Sequence, residues 1–297
     1  MQAAHLRQQR IERWTALGFT TPALVLFLLT GLLPLVVLFW LSFTDYELGA
    51  IEVRRLGFAN FTRAFLDPAF HRAFVNTLVY VAIVLPGAVG LGLLVAILVH
   101  GRRRTRGFYE VAYFLPVTST LIAMATVWQF LLHPRLGPVN ALLRFLVIGE
   151  IAFLSEPQFA LPTLAVVGIW QLLGFNMVLF LAGLSAIPKD LYEAAEVDGC
   201  TGVLDRFFTI TLPLLTPTTM FVVVTTTITA FKVFDTVAVM TRGGPMGSSE
   251  VLLYTIYLEG FQYFHMGYAA ALTAVFLAFI LVFSGIQSAV LERRTHY

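Results

Sequence analysis

The chain has 297 residues, 58% of them hydrophobic and only 12% charged, with a mean hydropathy of +0.83. That charge content is about half the share of a soluble domain, which excludes a protein built on one water-excluded core and leaves an all-α integral membrane protein. A formal charge of +2 gives no sign of a nucleic-acid partner, and the single cysteine, Cys200, excludes an intrachain disulfide or a Cys-rich metal site.

Six apolar runs reach the ~18 residues that a membrane-spanning helix needs: 17 to 41, 76 to 99, 108 to 132, 159 to 185, 214 to 238 and 267 to 290. They divide the chain into a tail (1–16), a first helix with an outside loop (17–75), a five-helix core (76–290) that carries a loop at 186–213, and a second tail (291–297). The first run is longer than a signal-peptide core of roughly 7 to 15 residues and lacks a convincing small-x-small cleavage site, so it reads as a retained span. An even number of spans puts both termini on one side. With that side cytoplasmic, the inner segments hold Arg7, Arg10, Arg13, Arg102, Arg103, Arg104, Arg106, Lys189, Arg206, Arg293 and Arg294; the outer ones hold the fewer Arg54, Arg55, Arg63, Arg72, Arg135, Arg144 and Arg242. The turn from Gly101 to Arg106 is the strongest element of this bias, which favours a cytoplasmic N-terminus.

Within the first run, Pro22 and Pro34 predict a kink, and Phe39-Trp40 an anchor at headgroup depth. The segment from Ser42 to Val75 is long enough for a small cap only. Leu115-Pro116 in the third span and Gly168, Gly174 and Gly183 in the fourth either free backbone groups along a pathway or let helices pack closely, with packing the expectation at any single position.

The loop after the fourth span is polar. Pro188 suits a helix start, and Asp190 and Glu193 place negative charge near the positive end of the helix dipole. Leu191, Ala194 and Ala195 share a face, and Asp198-Gly199 supplies a left-handed stop. Two short helices joined at Gly199 are predicted, running on through Phe207 and Ile210 to Leu212-Pro213. With Asp190, Glu193, Glu196, Asp198 and Asp205 against Lys189 and Arg206, the loop breaks the charge rule of its own side. Small alanines flanked by carboxylates make a knob for docking against a basic surface.

In the fifth span, Thr225, Thr226, Thr227 and Thr229 can return their hydroxyls to carbonyls one turn back, which is expected of about half of them. Lys232 and Asp235 fall at i, i+3 inside the same run; an ion pair near the outer mouth is expected, with direct substrate contact as the alternative. An outside turn follows at Thr241-Arg242-Gly243-Gly244-Pro245, then Tyr254, Tyr257, Phe261 and Gly267-Tyr268-Ala269-Ala270-Ala271.

A chemical engine is missing. Lys189 and Lys232, the only lysines, do not close a G-x-x-x-x-G-K-[ST] phosphate loop; the six histidines form no i, i+4 pair; and there is no G-x-S-x-G turn. No catalytic residue, metal ligand or cofactor is expected on this chain.

The series Glu193-Ala194-Ala195, Gly199, Ile210, Leu212, Pro213 resembles the EAA loop of ABC-importer permeases, in which it is the coupling helix seated on the ATP-hydrolysing subunit. Cys200 stands where the carbohydrate branch has Ala; both are small. Thr241-x-Gly243-Gly244-Pro245, Gly267-Tyr268-Ala269-x-Ala271, Leu115-Pro116 and Ala186-Ile187-Pro188 are similar to the maltose and glycerol-3-phosphate type, first-permease member, over roughly residues 15 to 292. The resemblance implies six spans in the type I importer architecture and a multi-pass protein of the bacterial cytoplasmic (inner) membrane. It implies a second, non-identical permease, two ATP-binding subunits carrying ATP and Mg, an extracytoplasmic substrate-binding protein and surrounding lipid. Coupling would fall to Glu193, Ala194, Ala195, Asp198, Gly199, Ile210, Leu212 and Pro213. By alignment on the same motifs, sugar-contact positions of the maltose type fall on Val117, Leu121, Gly168, Gln171, Leu172, Phe175, Thr226, Thr229 and Ala230, where most identities differ. An ATP-independent facilitator or channel is the competing class, a membrane-embedded enzyme a third; a facilitator would show a symmetric half, which this sequence lacks.

Overall fold

A computed structural model describes residues 2–50, 52–54, 57–102, 104–147, 149–200 and 202–292, the side chains of 2–11, 291 and 292 apart. Of the expected basic residues, Arg55, Arg103, Arg293 and Arg294, with most of the C-terminal tail, lie outside the described residues, as do the side chains of Arg7 and Arg10. Every regular element described is helical, as apolar runs require in lipid, where the backbone must satisfy its own hydrogen bonds. The order is α1 (Gln2–Phe27), a wider π turn (Leu28–Leu32), α2 (Leu33–Ser42), α3 (Ala59–Leu66), α4 (Pro68–His100), α5 (Arg106–Thr118), α6 (Leu121–Leu131), α7 (Pro138–Phe145) and α8 (Pro157–Ala186). There follow α9 (Lys189–Val197), α10 (Val203–Arg206), α11 (Leu212–Leu214), α12 (Thr216–Phe231), α13 (Leu252–Tyr257) and α14 (Met266–Glu292). Four of these stretches are long and apolar enough to cross a membrane, and six if two bent pairs each count as one span.

The chain divides into two compact units. The first comprises residues 1–66 and 256–275. In it the expected N-terminal tail is helical and continuous with the first span, and a π turn lies between Pro22 and Pro34. The segment expected to lie outside is small and tied down by polar contacts. Asn60 is buried and its amide donates to the carbonyls of Ser42 (3.0 Å) and Thr44 (2.7 Å). The Gly267 N–H donates to Tyr46 O at 2.8 Å, and any Cβ at Gly267 would overlap the Thr44 carbonyl oxygen. The Arg63 guanidinium lies 3.9 Å from the Tyr268 ring centroid, and His265 Nδ1 is 2.8 Å from Glu259 Oε2.

The second unit comprises residues 67–255 and 276–297. Asp67 caps α4 by accepting from the Ala69 N–H at 2.8 Å, with Pro68 in the first turn. α4 and α8 are its central pair because small residues line their contact. A Cβ at Gly168 would overlap the Tyr80 hydroxyl, one at Gly92 would come within 2.7 Å of the Asn176 Cβ, and one at Gly87 would meet the Ile169 side chain. Around them Ala96, Met177, Phe180, Leu184, Ile187, Leu215 and Val222 form one buried cluster. Phe231 at the end of α12 packs edge-on against Phe276, Phe279 and Phe283.

Two spans differ from expectation. The run expected at 108–132 is broken: α5 and α6 meet at 99°. Pro116 has no N–H to give the preceding turn, and the hydroxyls of Thr118 and Ser119 turn back to Leu115 O (2.9 and 3.2 Å) while Ser119 and Thr120 go extended. The fifth span begins earlier, at Val203, bends by 70° between the proline-bearing Leu212–Leu214 and Thr216–Phe231 segments, and ends at Phe231 rather than 238.

Candidate functional site: the loop from Ile187 to Pro213

α8 ends as Ile187 turns extended and is buried in the core cluster, and the chain re-enters a helix at Lys189 with Pro188 as its cap. Tyr192 packs on the same cluster and its hydroxyl is 3.0 Å from Thr211 Oγ1, so α9 is anchored by one face. It stops where expected. Gly199 has φ +89°; its N–H donates to Glu196 O (3.2 Å), and the Cys200 N–H donates to Ala195 O (2.9 Å). These two bonds are the Schellman pattern, which needs a left-handed residue at that point. α10 starts four residues on from Gly199, and the chain continues through a π turn (Phe207–Thr211) that holds Ile210, and then α11 with Leu212 and Pro213.

Arg206 is the functional residue that sequence reasoning missed. Its Nη2 is 3.0 Å from Glu196 Oε1 and its Nε donates to Cys200 O at 2.9 Å, fastening α9 to α10 across the glycine turn. Glu196 is therefore engaged within the loop, which leaves Glu193, Asp190 and Asp198 as the outward carboxylates of α9. Burial first, and then the neighbouring Asp205 carboxylate, push the Cys200 thiol above its ordinary range, against an opposing pull from Arg206. Apolar side chains are exposed along the same stretch: Val197 is 88% exposed and, where the chain turns into the fifth span, Val203 84%, Leu204 73% and Phe208 61%. Ala194 is exposed beside them.

The pathway positions fall into two groups. Gly168, Thr226 and Ala230 are buried in helix packing, and the Thr226 hydroxyl donates to Asn176 Oδ1 (3.1 Å), joining α12 to α8. Gln171, Leu172, Phe175, Val117 and Leu121 are half-buried or exposed, and Thr229 is exposed with its hydroxyl returned to Thr225 O at 2.9 Å. Thr225 likewise bonds Phe221 O at 2.8 Å, whereas Thr227 accepts from Gln287 Nε2 at 3.1 Å. Asn176, fully buried with its Nδ2 lacking a partner among the described residues, was visible in the sequence as one of two amides, with Gln171, inside an apolar span.

The expected Lys232–Asp235 pair is not formed. α12 ends at Phe231 with Lys232 as its cap, residues 232–234 are non-helical, and no ion pair joins the two among the described residues. The i, i+3 face assumed a continuous helix; a lysine at a helix C-terminus, among free carbonyls, favours stopping there. Lys232 is exposed and Asp235 half-buried.

On the turn after the fifth span, Arg242 (φ 52°) and Gly243 (φ +77°) are both left-handed and the Gly244–Pro245 bond is cis. The turn's continuation is bound to α4: Asn76 Nδ2 donates to Gly247 O and Glu250 O, both at 2.9 Å, and Arg72 pairs with Glu250 at 3.1 Å. Beside the turn a cavity of about 1070 Å³ opens between it and the end of α6, with Gln129, His133, Arg135, Ser155, Thr241 and Pro245 on its walls. Among the described residues no three His, Cys, Asp or Glu side chains gather as a metal group.

Residues 88–296 match the family described as the inner membrane component of binding-protein-dependent transport systems. The chain is 34% identical to a probable ABC transporter permease of Bacillus subtilis (strain 168), YesP, over 98% of this chain and 93% of that one. It is 33% identical to the sn-glycerol-3-phosphate transport system permease UgpA of Agrobacterium fabrum over 82% of each. A chain in the crystal structure of a bacterial alginate ABC transporter in complex with alginate pentasaccharide-bound periplasmic protein superposes with a TM-score of 0.85 at 25% identity, covering 96% of both chains.

Proposed function

Because the chain belongs to the family of inner membrane components of binding-protein-dependent transport systems, we propose that it is one of two permease subunits of an ATP-driven importer for a sugar, a polyol or a glycerol phosphate. The carrying observation is the loop at 187–213: a helix pinned on one side by Ile187 and Tyr192, closed by a left-handed Gly199 and clasped by Arg206, with its other side apolar, acidic and uncovered. That is the form of a rigid plug for a separate subunit. The chain lacks a phosphate-binding loop, so two ATP-binding subunits with Mg supply the work, and Glu193, Ala194, Ala195, Asp198 and Gly199 receive it. Ile210, Leu212 and Pro213 pass it to α12.

The loop faces the cytoplasm in this reading, with both termini on that side of a bacterial inner membrane. The outer cavity then opens toward a substrate-binding protein, and its hydroxyl, amide, imidazole and guanidinium groups suit a hydroxyl-rich solute. Relatives named for glycerol-3-phosphate and a structural neighbour crystallised with an alginate-loaded periplasmic protein support that class. Of the accessible pathway residues, Gln171, Phe175 and Thr229 have the groups to stack on or hydrogen-bond the solute, facing a second, non-identical permease.

The test is copurification. A tagged chain should retain its ATPase and second permease through detergent extraction, and Glu193→Lys should strip the ATPase alone, since a charge-assisted contact of about 1.5–3 kcal/mol is reversed. An unchanged pull-down with unchanged uptake would overturn the docking assignment; uptake that needs no ATPase at all would favour a facilitator.

A further inference from the structure

We propose that the turn between α4 and α5, with the groove beside it, is a binding site for one anionic phospholipid. The turn carries Arg102 and Arg104, both exposed and neither in an ion pair among the described residues. Its third described arginine, Arg106, is neutralised by Glu110 (2.7 Å). Arg102 is not free to wander: its N–H donates to Val99 O at 3.0 Å and its guanidinium lies 5.4 Å from the Tyr109 ring centroid. Two guanidinium groups on a short turn at the end of a membrane span form a seat for a phosphodiester, which accepts the paired donors that arginine presents.

The second observation lies within one turn of the first. Glu110, Val111, Phe114 and Val178 line an apolar groove of about 250 Å³ between α5 and α8. Glu110 both lines the groove and holds Arg106, so the charged turn and the apolar groove share a residue. Phe108 and Val111 on α5 and Leu94 and Leu98 on α4 are exposed on the flanks. A free phosphate or an acidic protein loop would use only the turn. A phospholipid uses both, with its headgroup on Arg102 and Arg104 and an acyl chain along Val111, Phe114 and Val178. Tyr109, under Arg102, packs on the same buried cluster as Tyr192 of α9. The transported solute plays no part in it.

The purified complex, exchanged with an equimolar mixture of phosphatidylglycerol and phosphatidylcholine, should retain phosphatidylglycerol selectively in native mass spectra. Arg102→Gln with Arg104→Gln should cut that preference by roughly fivefold for each arginine lost, and Arg135→Gln, an exposed arginine of the outer cavity, should leave it intact. A phosphatidylglycerol bearing a photoreactive acyl chain, applied to the unmodified protein, should label the segments around 111–114 and 178, whereas the phosphatidylcholine analogue should not. Excess inorganic phosphate should displace the lipid no better than chloride at equal ionic strength. Equal retention of both lipids, a preference unmoved by the double change, labelling indifferent to headgroup, or complete displacement by phosphate would each overturn the site.

Discussion

Replacing Gly199 with valine isolates the backbone from everything else in the loop. A Cβ built on Gly199 meets no atom within 4 Å, so a side chain has room and no contact is lost. The penalty is all in φ, which is +89° and which a β-branched residue adopts at a cost of about 1–2 kcal/mol. The alternative, relaxing to a right-handed turn, gives up the two bonds from Gly199 and Cys200, each worth about 0.5–1.5 kcal/mol net. The two costs are comparable, so Gly199→Val moves the ratio of formed to relaxed loop by roughly 5- to 30-fold at about 1.4 kcal/mol per decade and leaves the two geometries about equally populated. In liposomes holding both permeases and the ATPase, binding-protein-stimulated ATP turnover and solute uptake should fall together by about twofold, while basal turnover and passive leak stay level. Gly199→Asn should fall between glycine and valine, because asparagine visits the left-handed region more readily. Normal stimulated turnover with normal uptake in the valine variant, or an asparagine variant as impaired as valine, would refute the reasoning.

Three further expectations concern the bundle and the loop. Gly168→Ala should lower the yield and thermal stability of the extracted protein, since its Cβ overlaps the Tyr80 hydroxyl, and Tyr80→Phe should restore much of the loss; size-exclusion profiles after heating would show both. Lys232→Ala and Asp235→Ala should have additive effects on uptake within about 0.5 kcal/mol, because the helix ends between them; a coupling clearly above that would mean they pair in another state of the cycle. Cys200, with its thiol raised, carries little thiolate at neutral pH, so its alkylation should be slow and should accelerate only as the pH climbs above the ordinary thiol range. Asp205→Asn should bring that rise to lower pH, and an unchanged profile would remove Asp205 as a cause.

Much of the architecture was legible because apolar length alone sets a span. The predicted limits 76–99, 159–185 and 267–290 lie inside α4, α8 and α14, short by one or two residues at the ends of α8 and α14 but by eight at the start of α4, where residues 68–75, expected in the outside segment, continue the helix. The left-handed stop at Gly199 was legible for a local reason, since Asp-Gly after an amphipathic turn leaves the backbone few other choices. The bends were not. Pro116 marked trouble in the third span, but the 99° turn depends on Thr118 and Ser119 returning hydroxyls to Leu115 O, and such bonds leave no periodic trace. Arg206 was hidden for a similar reason: half of its clasp is a backbone carbonyl, that of Cys200, which any residue would supply. Lys232 and Asp235 show the converse error, a spacing argument applied across a helix end that charge itself had placed there.

Gly174 bears on how movement travels in this molecule. A Cβ there would overlap the Tyr113 carbonyl oxygen, so α8 and α5 meet main chain to main chain with no side chain between them. Side chains are compliant spacers, because a rotamer change can absorb an ångström of travel before the neighbour feels it. Bare backbones cannot. The helix that ends at the 187–213 loop and the helix that leads to the 99° bend therefore meet as a joint without backlash at Gly174 and Tyr113: any displacement of α8 at that point meets the backbone of α5 directly, in the helix that stops at Ser119-Thr120.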